Sequence, residues 1–288
     1  MITDLSKFIP LDKSWIIRMG ILDLRYGKDT TLQTLARSKV LLSDDLKRLL
    51  NASLSFPRKN QDVCVGESAT LYRFLLFLSW ILGQSRRFVL EGTLKDRKIT
   101  VDSSIVNLSI EELLKLDSET SQWASAAVLC RNDEMPLHLL PYKLELSFEA
   151  RNHWVECNEL GVHWSMRQDP TIENQANVFI EMSEGYDVTF IPTHSEDYCF
   201  ARAFGSTTLE AGLRNWPSLV NHESNRIEEM ELALIQARKG LTVISKDHRV
   251  VQAVAMFSKI RGYNPTYSYP NCVSKSWPQF WDFMREIG

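Results

Sequence analysis

The sequence predicts a mixed α/β or α+β protein, and three observations predict it. Segments with helical periodicity alternate with short runs rich in β-branched and aromatic residues. The 288 residues suffice for one large or two medium domains. At 44% hydrophobic and 24% charged, the chain has ordinary globular composition.

In chain order, the periodicity predicts helices over 14–24, 70–82, 110–116, 121–129, 226–238, 249–259 and 278–287. Strands are predicted between them at "RFVLEG" (87–92), "KLELSF" (143–148), "GVHWSM" (161–166), "YDVTFI" (186–191) and "LTVISK" (241–246). The greasiest run, "LYRFLLFLSWILG" (71–83), is too short for a membrane span of about 20 apolar residues, and Arg73 interrupts it. It predicts a buried core helix. Trp277, Phe280 and Trp281 have helix spacing and predict core packing. The most polar connection, "SMRQDPTIENQ" (165–175), is the expected domain boundary.

Net charge is −3 and the isoelectric point is about 6.1, so no global field favours nucleic acid. Any anion site must be built locally. Cys64, Cys130, Cys157, Cys199 and Cys272 are odd in number and widely spaced, with no CxxC pair. They are expected as reduced, mostly buried thiols. His153, His163 and His194 have no metal spacing. The opening "MITDLSKFIPLDKSW" lacks the long apolar core of a signal peptide, so the expectation is a cytoplasmic protein.

Five predicted helices open with polar or charged residues and continue apolar. They are "KSWIIRMGIL" (13–22), "GESATLYRFLLFL" (66–78), "TSQWASAAVL" (120–129), "KDHRVVQAVAMF" (246–257) and "KSWPQFWDF" (275–283). Helix N-termini expose unpaired N–H groups and partial positive charge, so they suit anions. Ser and Thr there are also ordinary caps, worth about 1 kcal/mol. Lys13, Arg249 and Lys275 at such ends oppose the local field, and are tolerated best where an anion binds.

These five segments, with "HESNR" (222–226), resemble the enolpyruvyl transferase family in its 5-enolpyruvylshikimate-3-phosphate synthase branch. The motifs keep the family's order from residue 13 to residue 278. The resemblance implies two domains built from repeated βαβαββ units, some of them trimmed, in an inside-out barrel. One domain would be 13–168, the other 1–12 with 169–288, with the site in the cleft between them. It implies attack of a hydroxyl of shikimate 3-phosphate, or of a related cyclic alcohol, on C2 of phosphoenolpyruvate (PEP), with phosphate released. No metal or organic cofactor is implied. The partners would be PEP and a shikimate-like acceptor, with no nucleic acid or membrane, and the chain a monomer.

Carried onto this chain, the resemblance makes Lys13 and Glu223 the acid/base pair, with His248 holding Glu223 or the leaving phosphate. Arg226 and Arg249 would grip the PEP carboxylate, a geometry suited to guanidinium. Lys275, Lys95 and the "GESAT" backbone around Ala69 would address the PEP phosphate, and Gln122 the reacting centre. The acceptor side would comprise Ser14, Arg18, Thr120, Ser121, Tyr142, Ser218 and His222.

The chain also departs from the family's pattern. It is shorter, most of all between Ser121 and Glu223. Thr193 follows Pro192 where a catalytic aspartate is expected, and Asp197 or Glu196 would substitute from a shifted position. Leu139 and His222 stand where a serine and a lysine would hold the acceptor phosphate, and Ala69 where glycine is usual. An unphosphorylated or otherwise different acceptor, or a non-catalytic relative, are the alternative expectations.

Overall fold

The computed structural model describes residues 4–97, 100–116, 120–131, 133, 142–162, 164–220 and 225–287. The chain divides into two compact units, one of Leu11–Arg167 and one of Met1–Pro10 with Gln168–Gly288. Helices prevail, with a minor β component.

The Leu11–Arg167 unit runs α1 (Lys13–Tyr26), α2 (Thr30–Arg37), α3 (Asp44–Ser55), β1 (Val63–Gly66), α4 (Ala69–Ile81), β2 (Phe88–Leu90), α5 (Ile110–Leu116), α6 (Gln122–Arg131) and α7 (Tyr142–Glu159). Asp12 opens α1 by accepting from the Trp15 N–H at 2.9 Å, and Gly27 closes it at φ +65°. Every residue of α1 from Trp15 to Asp23 is buried. Helix α6 is buried throughout from Trp123 to Cys130, and α4 buries the side that carries Leu71, Phe74, Leu75 and Leu78, so the unit's interior is helical. Strands β1 and β2 pair in parallel through the α4 crossover, with Val63 opposite Phe88 and an irregularity between Cys64 and Gly66.

The other unit runs α8 (Pro170–Ser183), α9 (Tyr198–Ala203), α10 (Leu209–Asn215), α11 (Arg226–Arg238), α12 (His248–Arg261) and α13 (Phe280–Glu286). Here α12 is the central helix, buried from His248 to Ser258, capped by Asp247 and closed by Gly262 at φ +71°. Trp277, Phe280 and Phe283 are buried in this core, and the Trp277 Nε1–H donates to the Phe8 carbonyl at 2.7 Å. Trp281 is half-buried at its edge.

Several expectations are corrected. Residues 143–148 belong to the 18-residue helix α7, not to a strand. The alternation in "KLELSF" is brief, and burial continues through Ser147, Ala150 and Trp154 at helical intervals. Residues 186–191 and 241–246 form no ladder, apart from one isolated parallel bridge from Val243 to Tyr267. No strand is formed by the described part of 161–166, and His163 lies outside the described residues. The polar stretch 165–175 does hold the division between the units, at Arg167–Gln168, and it also opens α8, with Asp169 as cap and Pro170 as first helical residue. The helix expected from residue 278 begins at Phe280.

No described helix is long and apolar enough to cross a membrane. All five cysteines are free thiols, Cys130 and Cys199 buried and the other three half-buried. Burial pushes the thiols of Cys130, Cys199 and Cys272 up to about 12.

Candidate functional site

In the Leu11–Arg167 unit, side chains near the starts of α4 and α6 meet. The Gln122 amide, at the start of α6, donates to Thr70 Oγ1 at 2.9 Å, and its carbonyl oxygen accepts from Arg73 Nη1. Arg73 also lies over the Trp123 ring. One turn into α1, the Arg18 guanidinium lies 5.4 Å from the Phe74 ring centroid in α4. The starts of α4 and α6 are thereby tied together, and Arg18 lays the second turn of α1 against α4.

Charged side chains organise the start of α1. Lys13 Nζ is 2.7 Å from Asp45 Oδ2, so the lysine at the positive end of α1 is offset by a carboxylate from the first turn of α3. Asp12, the α1 cap, also accepts from Arg167 Nε at 2.8 Å. The Arg167 guanidinium sits 4.1 Å from the Trp15 ring centroid. Arg18 donates to Ser147 Oγ at 2.7 Å and to the Ser14 carbonyl at 2.8 Å, and only 2% of it is exposed. Ser121 precedes α6 at φ +51°, the one described non-glycine residue in that region, and its Oγ is buried without a hydrogen-bond partner. Thr120 is half-buried beside it.

The second unit repeats the theme with different residues. Arg226, first in α11, places Nε 2.8 Å from Asp247 Oδ2, and both side chains are buried. Asp247 caps α12 by accepting from the Arg249 N–H at 2.9 Å. Its own N–H donates to Ser245 Oγ, which donates in turn to Glu229 of α11 at 2.7 Å. Arg249 Nη2 is 2.9 Å from Glu196 Oε2, in the turn that leads into α9. The starts of α9, α11 and α12 are thereby tied together. Gln252, one turn into α12, donates to Ser276 Oγ at 3.2 Å and fixes the turn that carries Lys275.

Asp197 is buried beside Glu196. Its Oδ2 accepts from the Thr193 N–H at 3.0 Å and the Thr193 hydroxyl at 3.1 Å, and lies 2.9 Å from His194 Nδ1. Its Oδ1 accepts from Gln175 at 3.2 Å. Burial alone would push this carboxyl up, but the His194 hydrogen bond and charge, with the Thr193 donors, hold it below the usual carboxylate range.

The chain matches no family model, no curated protein and no solved structure.

The structure distributes the expected site residues unevenly. Lys13, Ser14, Arg18, Gln122, Thr120 and Ser121 lie near the starts of α1 and α6 in one unit. Arg226, His248, Arg249 and Asp197 lie near the starts of α11, α12 and α9 in the other, with Lys275 on the turn held by Gln252. Ala69 is the first residue of α4, half-buried behind the buried Ser68. Lys95 is exposed on a 3-10 turn, Gly92–Asp96, and Ser218 is half-buried on another, Pro217–Val220. Leu139, His222 and Glu223 lie outside the described residues. So does the Tyr142 side chain, although its backbone opens α7. Among the described residues no His, Cys, Asp and Glu group could hold a metal ion.

Sequence reading missed Asp45, Ser147, Arg167, Gln175 and His194 as members of these networks. Asp45 carried a signal, because "SDD" opens a helix. The others carried none, since their partners lie on other elements.

What this arrangement offers chemically is anion binding. Each cation at a helix start is matched by a carboxylate from another element, Lys13 by Asp45, Arg226 by Asp247 and Arg249 by Glu196. Of these three pairs, Arg249 and Glu196 have the most exposed carboxylate, at 35%, so Glu196 is the one that an incoming anion would reach first.

Proposed function

We propose that the chain transfers the enolpyruvyl group of PEP to a hydroxyl of a shikimate-like cyclic alcohol, releasing phosphate. The observation that carries the reading is the Arg249 guanidinium. It stands at the start of α12, among the tied ends of α9 and α11, on a part-exposed carboxylate partner. A helix N-terminus with an adjacent guanidinium suits a small carboxylate-bearing dianion. Lys13, Gln122, Arg226, His248 and Lys275 complete the PEP-side set, and Glu223 is the proton donor in this reading. The reading includes a fold of trimmed βαβαββ units in an inside-out barrel, of which β1–α4–β2 would be one piece. A cytoplasmic monomer without metal or cofactor belongs to it too.

A second reading, a different acceptor, is favoured by Arg18. Its guanidinium is buried and engaged with Ser147 and the Ser14 carbonyl. An acceptor phosphate would have to compete with those bonds. Leu139 and His222 weaken the same side.

The test is phosphate release from PEP with shikimate 3-phosphate or shikimate as acceptor, beside calorimetric titration of PEP alone. Acceptor-dependent release supports transfer, and preference for shikimate supports the second reading. Absence of both PEP binding and release refutes the proposal.

A further inference from the structure

We infer that Gln252 of α12 sets the spacing between Arg249 and Lys275, and so makes the site select a dianion whose carboxylate and phosphate are spaced as in PEP. The inference rests on the transfer reading and deepens it, because that reading puts Arg249 on the PEP carboxylate and Lys275 on its phosphate.

From Val250 to Phe257 every residue of α12 is buried, and every one except Gln252 is apolar. Gln252 is 2% exposed. A buried amide costs free energy unless its donors are used. Both are used: Nε2 donates to Ser276 Oγ at 3.2 Å and to the Val273 carbonyl at 3.4 Å. Methionine would fill the same room in a helix core without that cost, so packing alone does not account for a glutamine here.

The two acceptors lie on the 3-10 turn Pro270–Lys275 and on its cap, Ser276. The Val273 carbonyl also accepts from the Ser276 N–H at 3.2 Å and the Trp277 N–H at 2.8 Å. Trp277 is fully buried and pinned to the Phe8 carbonyl through its indole N–H. The backbone that carries Lys275 is therefore held by α12 through Gln252 and by the Trp277 anchor. Arg249 sits one turn before Gln252, on the same face of the same helix. The Cys272 thiol brings the two cations to one corner. Burial pushes it up, the Asp247 charge adds to this and the Lys275 charge opposes it, so that sulfur has both the α12 cap and Lys275 as neighbours.

Two cations on one fixed frame discriminate by their separation. A ligand with both a carboxylate and a phosphate gains from each only where its own spacing matches, and a ligand with a carboxylate alone uses Arg249 alone. Gln252 touches no substrate in this arrangement and is a positioning residue. A purely structural tie between helix and turn would change stability and leave ligand selection alone.

The experiment compares wild type, Q252M/S276A, K275M and the triple variant. PEP and pyruvate are titrated by calorimetry, extended to millimolar binding by ligand-observed NMR, and urea unfolding gives stability. Q252M/S276A replaces both partners by apolar groups and is expected to unfold near the wild-type midpoint. Its PEP affinity should fall about tenfold. Pyruvate, which lacks the phosphate, should bind it as it binds wild type. In the K275M background the same two substitutions should change PEP affinity by less than about twofold. S276A alone removes one of the two hydrogen bonds with little change in packing. It should lose PEP affinity in the same direction, and it decides the matter if the double variant does not fold. Unchanged PEP affinity, or an equal loss with and without Lys275, overturns the spacer and leaves the transfer reading intact. A wild-type chain that binds no PEP overturns both.

Discussion

Arg226 and Asp247 form a buried ion pair, Nε to Oδ2 at 2.8 Å, that joins the first residue of α11 to the cap of α12. Both side chains are buried, so removing one partner takes from the other an opposite charge that water does not replace. D247A should cost about 3–5 kcal/mol for the broken pair, and about 1 kcal/mol more for the lost cap. Urea unfolding at neutral pH measures this. A loss under about 1 kcal/mol would show that the corner does not depend on the pair.

Glu196 competes with any carboxylate that approaches Arg249. E196Q removes the competitor and keeps the shape. PEP should bind about fivefold tighter, roughly the 1 kcal/mol of a part-exposed ion pair. Calorimetric titration gives the number, and weaker binding in E196Q would mean that Glu196 supports the site rather than guards it.

Asp197 makes acid stability testable in sign. Its carboxyl is held below the ordinary value in the folded chain, so its contribution is complete above the unfolded value of about 3.9. The contribution is lost as pH falls from there through the folded value. D197N should therefore be clearly less stable than wild type at pH 7, and the gap should close in stronger acid. Thermal melting of both proteins from pH 7 down to about 2.5 follows it. A gap that widens in acid would contradict the hydrogen-bonded carboxylate.

Gly212 of α10 packs its Cα against the buried Tyr198 ring, and a Cβ there would run into Cε2. G212A should cost about 1–3 kcal/mol through overpacking. L213A, at an exposed position next to it, should stay within about 0.5 kcal/mol. Equal effects of the two would remove the packing argument.

These relationships explain what was readable in the sequence. Helix starts were legible where a cap and an apolar run coincide, as at Asp12, Asp247 and Asn225. The same signal stood at Ser43 and at Asp169–Pro170, where α3 and α8 begin, and short amphipathic stretches there went unread. Strands were less legible because a strand exists only with its partner. Residues 186–191 have the composition of a strand and no ladder. "DVCVG" at β1 has one because β2 lies beside it. The cations of the site were visible as residues at helix starts. Their carboxylate partners were not, since Lys13 and Asp45 are 32 positions apart and Arg18 and Ser147 are 129 apart.

The central claim is that the enolpyruvyl group leaves PEP for an acceptor oxygen. Carbon NMR of uniformly labelled PEP, incubated with the protein and shikimate or shikimate 3-phosphate, follows that bond directly. The account predicts new vinyl ether carbons on the acceptor, with phosphate released in equal amount. Unchanged PEP, or pyruvate and phosphate with no carbon on the acceptor, would contradict it.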